Sequence, residues 1–389
     1  ENTSGVHGSP LGENEFELFL QNIGFSGDPF IHDSEIYSYF DEKRADDNSK
    51  FDEWNANLES KLQSDKNFRQ LWNQFNNFEI SEVELEWSSD EASRVVGGKI
   101  LNEYGLSNKF IIGGSADLAA STKQVISDNT FGSNNFGGNS IEFGIREHAM
   151  GGIVNGLALH SNLIPYGSTF LVFSDYMRPS MRLASLMNVN SLFIFTHDSI
   201  YLGEDGPTHQ PIEHLMSLRL IPNLDVIRPS NSMELIHSYR YALEKRENPK
   251  AIILSRQNMK FFDNDVSYKD FQTGAYEFMP GSDITLIATG SELELAFEIS
   301  TKLKDLSVQI ISAPILNRLN EERLESLSLN QNIFTIELGR TIGWDTYIQN
   351  IKKSFSIDSF GESAPIDQLA EKFNFSAEKI SDEIRSLLN

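Results

Sequence analysis

The strongest constraint on the fold is a regular alternation of short apolar runs with helical patterns, which begins near residue 92. Residues 92–104 have helical periodicity, and residues 109–115 form an apolar run that ends in glycine and serine. The pattern continues to residues 251–255 and resumes over residues 283–338. Alternation of this kind is typical of βαβ units, in which helices cover a parallel sheet. The sequence therefore predicts an α/β fold with two domains, each built on a parallel sheet.

Residues 1–77 lack this alternation. They are charged and rich in turns, and helical periodicity is limited to residues 51–62 and 68–75. We interpret this part as a mostly helical and irregular connecting segment. Residues 261–282 have neither pattern and are interpreted as a linker between the two domains.

The composition excludes several classes of partner. A formal net charge of -24 opposes binding to nucleic acid or to an anionic membrane, because the long-range field repels both. The chain has no cysteine, which excludes disulfides and thiolate chemistry. No membrane span and no signal peptide is visible, so a cytoplasmic enzyme is expected. The first residue is Glu1 rather than Met, from which we expect a fragment or a processed chain.

Polar chemistry is concentrated in residues 196–211, which follow the apolar run 191–195. Ligands of open α/β sheets bind at the carboxyl ends of strands, where this loop is expected to lie. Its glycines and prolines restrict its path, so that His197, Asp205 and His209 can converge. An alternative is a solvated loop whose polar groups bond their own backbone. Another is a metal-dependent phosphohydrolase centred on the histidines of this loop and Asp198.

Further candidates lie near other predicted strands and in the first segment. Asp117 and Ser121 follow the apolar run 109–115 and could hold a phosphate or a sugar hydroxyl, although Asp117 could equally cap a helix. Arg256 ends a predicted strand, where a guanidinium suits phosphate binding. His7 has small neighbours that would let a ligand approach, but a surface histidine is the simpler interpretation.

Glu147 precedes the small and apolar run 149–159. Burial beside such a run favours the protonated form of a carboxyl group, which suits a proton donor. A structural ion pair with Arg146 or Arg178 is the alternative.

Three aromatic residues, Phe170, Phe173 and Tyr176, follow at a spacing of three and would share one helical face. Such a stripe belongs either to the core or to a ring-stacking site.

Seven ordered motifs in this chain resemble those of transketolase, a thiamine diphosphate enzyme. They lie at residues 6–12, 113–119, 144–148, 168–173, 197–200, 203–211 and 254–258. The resemblance implies a pyrimidine-binding domain at residues 81–262 and a transketolase C-terminal domain at residues 275–389. It implies that residues 1–80 connect these to a diphosphate-binding domain. It also implies a homodimer that transfers a two-carbon ketol unit between sugar phosphates in the pentose phosphate pathway.

The resemblance also implies roles for individual residues. Glu147 would bond the aminopyrimidine ring of thiamine diphosphate and promote its imino form, and His7 and His209 would assist proton transfer near the reacting carbons. The other implied cofactor contacts are Phe170, Phe173, Tyr176, Asp117 and His7. The implied substrate contacts are Arg94, Ser121, His197 and Arg256 to phosphate, Asp205 to a hydroxyl, and His7 and His209.

The sequence departs from the family pattern in two ways. Tyr201 stands where many relatives have glycine, which would narrow or stiffen the loop. The Gly-Asp-Gly that binds the divalent metal, Mg²⁺ or Ca²⁺, and the diphosphate does not occur. From this absence we expect that the N-terminal diphosphate-binding domain is missing, through truncation or cleavage, and that the chain alone is inactive. The alternatives are a non-catalytic dimerisation or scaffold module, or another thiamine diphosphate enzyme such as a dihydroxyacetone synthase.

Overall fold

A computed structural model describes residues 4–77, 80, 83, 89–126, 129–230, 232–262 and 266–388. The chain divides into two compact units, Glu1–Gln74 and Phe75–Asn389. None of the helices among the described residues is long and apolar enough to cross a membrane.

The first unit is helical. It contains α1 (Glu13–Asn22), α2 (Ser34–Ser64) and most of α3 (Lys66–Asn77), and no residue described in these helices is buried. The carboxylate of Asp65 accepts hydrogen bonds at 3.0 Å from the backbone amides of Asn67 and Phe68, so it caps the start of α3. Both helical stretches predicted here lie within α2 and α3.

The second unit alternates strands and helices. Its helices are α4 (Ser93–Ser107), α5 (Ala119–Thr122), α6 (Glu147–His160), α7 (Ser174–Leu186), α8 (His214–Arg219), α9 (Ser232–Glu244), α10 (Tyr268–Gln272), α11 (Glu292–Lys302), α12 (Glu321–Leu327), α13 (Ile366–Lys372) and α14 (Ala377–Leu388). Its strands are β1 (Glu91–Ala92), β2 (Ile111–Ser115), β3 (Ser140–Glu142), β4 (Ile164–Phe170), β5 (Leu192–Thr196), β6 (Asp225–Ile227), β7 (Lys250–Leu254), β8 (Asn258–Met259), β9 (Tyr276–Met279), β10 (Ile284–Ala288), β11 (Val308–Ser312), β12 (Ile333–Ile336) and β13 (Ile351–Phe355).

Two sheets organise this unit, which confirms the predicted α/β fold. The first sheet has the strand order β3-β2-β4-β5-β7-β6 and is parallel throughout. Helices cover both faces, with α4 and α9 in one apolar cluster and α6 and α7 in another. Because both faces are buried, the central strands are continuous apolar runs rather than alternating ones.

The second sheet has the order β13-β12-β10-β11-β9. Four of its strands are parallel, and β9 pairs antiparallel with β11 at the edge. The prediction of a linker over residues 261–282 is wrong in its second half, because α10 and β9 lie there. Strand β9 is four residues long and its pairing shifts register, so its local pattern is weak.

Candidate functional site

The carboxyl ends of three neighbouring strands bring candidate residues together. Strands β4, β5 and β7 end in register, since Phe170 pairs with Thr196 and Thr196 pairs with Leu254. His197 therefore emerges beside Phe170, and Arg256 emerges just beyond the end of β7. This is the edge at which ligands bind to open parallel sheets.

His197 is held in an unusual position at this edge. Its φ of +60° lies in the left-handed region. Its Nδ1 lies 2.8 Å from Oγ1 of Thr196, and its ring centroid lies 3.7 Å from that of Phe170. Burial and the nearby charges of Arg94 and Arg256 lower the pKa of His197 to about 3. The imidazole is therefore neutral at neutral pH and can offer hydrogen bonds without a charge.

Two arginines line the cavity next to this histidine. Arg94 donates a hydrogen bond from Nη1 to the backbone oxygen of Ser121, and Arg256 is exposed. Burial and the charge of Arg256 lower the pKa of Arg94, against an opposite effect of Asp205. In the described part of the chain, neither arginine forms an ion pair within 4.0 Å. Both line a cavity of about 820 Å³, in which they offer hydrogen-bond donors to an anion, and Glu294, Glu298 and Asp367 line other parts of the same cavity.

The three aromatic residues stack as a group. The Phe170 and Phe173 centroids are 5.8 Å apart, and those of Phe173 and Tyr176 are 5.9 Å apart. His209 stands edge-on to Phe173 at 5.7 Å. The prediction of one shared helical face is wrong, because Phe170 ends β4, Phe173 ends a short 3₁₀ turn and only Tyr176 lies in α7. The turn between strand and helix still brings the rings together.

Glu147 is the first residue of α6 and is only 6% exposed. Its Oε1 lies 3.4 Å from Oγ1 of Thr169, the residue before Phe170. The alternative of an ion pair is not supported in the described residues, because Arg146 bonds the Phe143 carbonyl and Arg178 bonds Ser217. A buried carboxylate beside stacked rings can bond the polar edge of a flat heterocycle.

Asp117 and His7 are less constrained. Asp117 follows β2 with a φ of +61° and is exposed, and the N-cap of α5 is Leu118 rather than Asp117. The helix-cap alternative is therefore not supported. His7 is exposed in the first unit, in a turn where its amide bonds the Ser4 carbonyl at 3.0 Å.

The loop over residues 197–211 is braced from several sides. Nε2 of Gln210 donates to the carbonyls of Ile200, Gly203 and Glu362 at 3.2, 3.0 and 2.9 Å. Gly203 has a φ of +87°, which the turn requires. Asp205, at the tip of the loop, is exposed.

The C-terminal part of the chain supplies further braces. Oγ of Ser363 donates to the Glu204 carbonyl, and the Tyr201 hydroxyl donates to the Phe375 carbonyl at 3.0 Å. Tyr201 thus ties the loop to the segment between α13 and α14, where glycine could not.

Sequence reasoning missed the partner of Asp198. This carboxylate is buried and accepts hydrogen bonds from Nε and Nη2 of Arg228 at 3.1 and 2.7 Å. It is therefore engaged by a guanidinium, which does not suit the metal-dependent phosphohydrolase alternative. The one group of possible metal ligands found among the described residues is elsewhere, at Asp175, Glu213 and His214. The signal that could have found this partner is the position of Arg228 directly after the short stretch that forms β6, at the carboxyl edge of the same sheet.

Family models match three parts of the chain. Residues 92–261 match the transketolase pyrimidine binding domain, and residues 274–376 match the transketolase-like C-terminal domain. Residues 1–77 match the thiamine diphosphate binding domain of transketolase. The predicted boundaries at residues 80, 81–262 and 275–389 stay predictions.

The prediction that the diphosphate-binding domain is missing is wrong, because residues 1–77 match that domain. It depended on one absent three-residue motif, whereas a domain is specified by its whole sequence pattern, and this part contributes three helices. The expected truncation and inactivity depended on the same argument and are not supported.

Individual proteins are similar along nearly the whole chain. A transketolase of Staphylococcus aureus is 39% identical over 99% of this chain, which spans 61% of that protein. The transketolase structure from Leishmania mexicana has a TM-score of 0.91 and 29% identity, covering 97% of this chain and 58% of its own. A Pichia stipitis transketolase complexed with sedoheptulose 7-phosphate has a TM-score of 0.91 and 28% identity, covering 98% and 60%. Three domain matches and this identity place the chain in the transketolase family.

Proposed function

We propose that this chain carries out thiamine diphosphate-dependent transfer of a two-carbon ketol unit between sugar phosphates. The observation that carries the proposal is the position of Phe170. Its ring stacks with Phe173 on one side and lies against His197 on the other. A site for a flat heterocycle and a site for an anion therefore share one wall.

The residues at the first site fit the pyrimidine ring of the cofactor. Phe173 and its neighbours offer aromatic faces for stacking, and the buried Glu147 offers a carboxylate at the same place. When bound, thiamine diphosphate supplies the carbon nucleophile of ketol transfer. Glu147 would hold a proton shared with a ring nitrogen, which a buried carboxylate with one long hydrogen bond can do. Asp117 and His7 are proposed as further cofactor contacts, and Mg²⁺ or Ca²⁺ as the companion metal.

The residues at the second site fit the phosphate of a sugar. Arg94 and Arg256 supply positive charge, and neutral His197 and the Ser121 hydroxyl supply hydrogen bonds. A local cationic cluster is needed because the whole chain has a net charge of -24. The relative from Pichia stipitis, whose complex contains sedoheptulose 7-phosphate, supports this class of ligand.

Three residues are proposed to act on the sugar itself, namely His209, His7 and Asp205. His209 stands edge-on to Phe170 and Phe173 at 6.2 and 5.7 Å, with Nδ1 2.9 Å from Oγ1 of Thr208. It is proposed to move a proton at the reacting carbon, with His7, and Asp205 to bind a substrate hydroxyl. A homodimer, a cytoplasmic location and a place in the pentose phosphate pathway remain predictions.

The test measures ketol transfer by the natural protein, purified from the cells that produce it. With thiamine diphosphate, Mg²⁺, a ketose phosphate donor and an aldose phosphate acceptor, two new sugar phosphates should form. Glu147→Gln should lower kcat by at least about a hundredfold, since proton transfer of this kind contributes 10²–10⁴-fold. No transfer by a folded, cofactor-saturated protein would contradict the proposal. If the transfer yields dihydroxyacetone, a dihydroxyacetone synthase is favoured. If the chain does not bind thiamine diphosphate, a scaffold module is favoured.

A further inference from the structure

A buried guanidinium connects the substrate loop with the second sheet. Arg228 follows β6 and is fully buried. Its Nε and Nη2 bond Asp198, and Nη2 also bonds Oε1 of Glu292 at 3.1 Å. Its Nη1 donates to the backbone oxygen and to Oγ1 of Thr289, each at 2.9 Å, and to Oε2 of Glu292. Thr289 and Glu292 follow β10, so one side chain joins both sheets.

The residue held by this guanidinium is the neighbour of His197. A left-handed backbone is uncommon for a residue with a side chain and persists when the surroundings determine it. Among the described residues, Asp198 forms its ion pair with Arg228 alone. The Arg228–Asp198 contact therefore fixes the backbone immediately after His197, on the side where the loop leaves the strand.

The guanidinium has no room to adopt another position. Gly290 has a φ of +57°, and a Cβ there would lie 2.8 Å from three atoms of Arg228. Asp198 and Glu292 are 2% and 1% exposed, so water cannot replace the ion pairs. A buried charge that loses a partner is strongly unfavourable, so the guanidinium cannot move away from Asp198 or Glu292 without a large loss of stability.

From this geometry we propose that Arg228 is a positioning residue for phosphate binding, through which the second sheet fixes Asp198 and thereby the imidazole of His197. The inference rests on the proposed role of His197 in binding substrate phosphate. It gives a role in substrate recognition to the C-terminal part of the chain, in which no catalytic or binding residue was predicted.

A second buried ion pair provides a matched control. Nη1 and Nη2 of Arg219 bond Oε2 and Oε1 of Glu337 at 2.8 and 2.7 Å, and both side chains are as buried as those of Arg228 and Glu292. Arg219 also joins the two sheets, from α8 to the end of β12. It makes no hydrogen bond to Asp198 or to His197 among the described residues, and its partner Glu337 meets the Arg228 contacts through the Thr289 hydroxyl, on the side away from Asp198 in the chain of hydrogen bonds.

The first experiment measures binding of inorganic phosphate to the chain and to its variants by calorimetry. Arg228→Lys and Asp198→Asn should weaken phosphate binding by about tenfold to a hundredfold, because a misplaced binding group loses most of its interaction. Arg219→Lys should lower thermal stability by a similar amount but leave phosphate binding within about twofold. If all three variants weaken binding equally, the role of Arg228 is only structural and the inference is wrong.

The second experiment does not depend on phosphate. The imidazole of His197 is followed by ¹⁵N NMR, with assignment from a His197→Gln variant. In the unmodified chain it should stay neutral down to about pH 5, whereas in Arg228→Lys or Asp198→Asn it should titrate near the ordinary value of about 6.5. An imidazole that stays neutral in both variants would overturn the inference. Lack of phosphate binding by the unmodified chain would instead contradict the proposed phosphate site. The pH titration of the His197 imidazole would still test whether Arg228 positions it.

Discussion

The two sheets place polar groups at the same edge but use them differently. Beside the carboxyl ends of the first sheet, Arg94 and Arg256 line a cavity, and neither forms an ion pair within the described residues, although Glu294, Glu298 and Asp367 line the same cavity. At the carboxyl ends of the second sheet, Glu337 and Glu292 form buried ion pairs with Arg219 and Arg228. The same strand arrangement therefore yields a binding site at the first sheet and buried ion pairs that connect the two sheets at the second.

The difference lies in where the opposite charges come from. The carboxylates at the second sheet pair with Arg219 and Arg228, which belong to the part of the chain that forms the first sheet. Burial excludes water from both ion pairs. At the first sheet, no carboxylate of the described residues forms an ion pair with Arg94 or Arg256. Burial is the main cause of the lowered pKa of Arg94, and the charge of Arg256 adds to it. Uncompensated charge of one sign is unfavourable for the isolated protein but favours a charged ligand.

The largest effect is expected from breaking a pair at the second sheet. Glu337 accepts hydrogen bonds from both Arg219 nitrogens, from Nε1 of Trp344 at 3.1 Å and from Oγ1 of Thr289 at 2.6 Å. Glu337→Gln leaves the guanidinium buried without its counter-charge, which costs about 3–5 kcal/mol. A large drop in the thermal unfolding midpoint should follow. Glu383→Gln, which breaks the exposed pair with Lys353, is the control and should change the midpoint little. Equal midpoints for the two variants would contradict the comparison.

The opposite behaviour is expected when a cation is removed from the first sheet. Arg256 is exposed and forms no ion pair with any residue that the structure describes, so Arg256→Ala should leave the unfolding midpoint nearly unchanged. Affinity for a sugar phosphate should fall by about tenfold to a hundredfold, since a charge-assisted hydrogen bond contributes about 1.5–3 kcal/mol. Affinity for the same sugar without phosphate should not change.

The control for this prediction is Lys260→Ala. Lys260 is also exposed and directly follows β8, but its Nζ lies over the Phe262 ring and it does not line the cavity. Its removal changes the net charge equally, and salt screens its long-range effect on the ligand. If both variants lose the same affinity, the effect of Arg256 is one of net charge and not of contact.

A smaller effect is expected from pH. The pKa of His197 is lowered to about 3 in the folded chain, first by burial and then by Arg94 and Arg256. Between about pH 6.5 and pH 3 the unfolded chain binds a proton at this residue that the folded chain does not, so stability falls as pH falls. The slope from this residue is about 1.4 kcal/mol per pH unit. His197→Gln should remove this slope from the free energy of unfolding, so the unfolding midpoint of the variant should fall less in acid, and parallel pH profiles would contradict the assignment.

The sequence predicts the elements better than it predicts their partners. Strands such as β5 and β11 coincide with predicted apolar runs because burial of both faces is visible locally. Likewise, the loop at a strand end was predicted to bring His197 and His209 together, and both rings lie beside Phe170, although the loop pattern did not indicate this aromatic neighbour.

Contacts between distant segments could not be predicted in this way. Arg228 and Glu292 are 64 positions apart, and nothing in either local pattern indicates the other. The three rings show a related limit, because a spacing of three is shared by α-helices and 3₁₀ turns. The error about residues 1–77 had the opposite cause, since a single absent motif was given more weight than the pattern of a whole domain.

The smallest effect is expected for Tyr201, which connects the loop over residues 197–211 with the segment between α13 and α14. Its hydroxyl donates to the Phe375 carbonyl at 3.0 Å, and its ring lines the same cavity as Arg94 and Arg256. Tyr201→Phe removes one hydrogen bond and keeps the ring, which costs about 1 kcal/mol of stability. Tyr201→Gly also removes the ring and restores flexibility to the loop, so phosphate affinity should fall in this variant but not in Tyr201→Phe. The pair of variants separates the hydrogen bond from the ring: if Tyr201→Gly binds phosphate as tightly as the unmodified chain, the braces from Gln210 and Ser363 hold the loop without Tyr201.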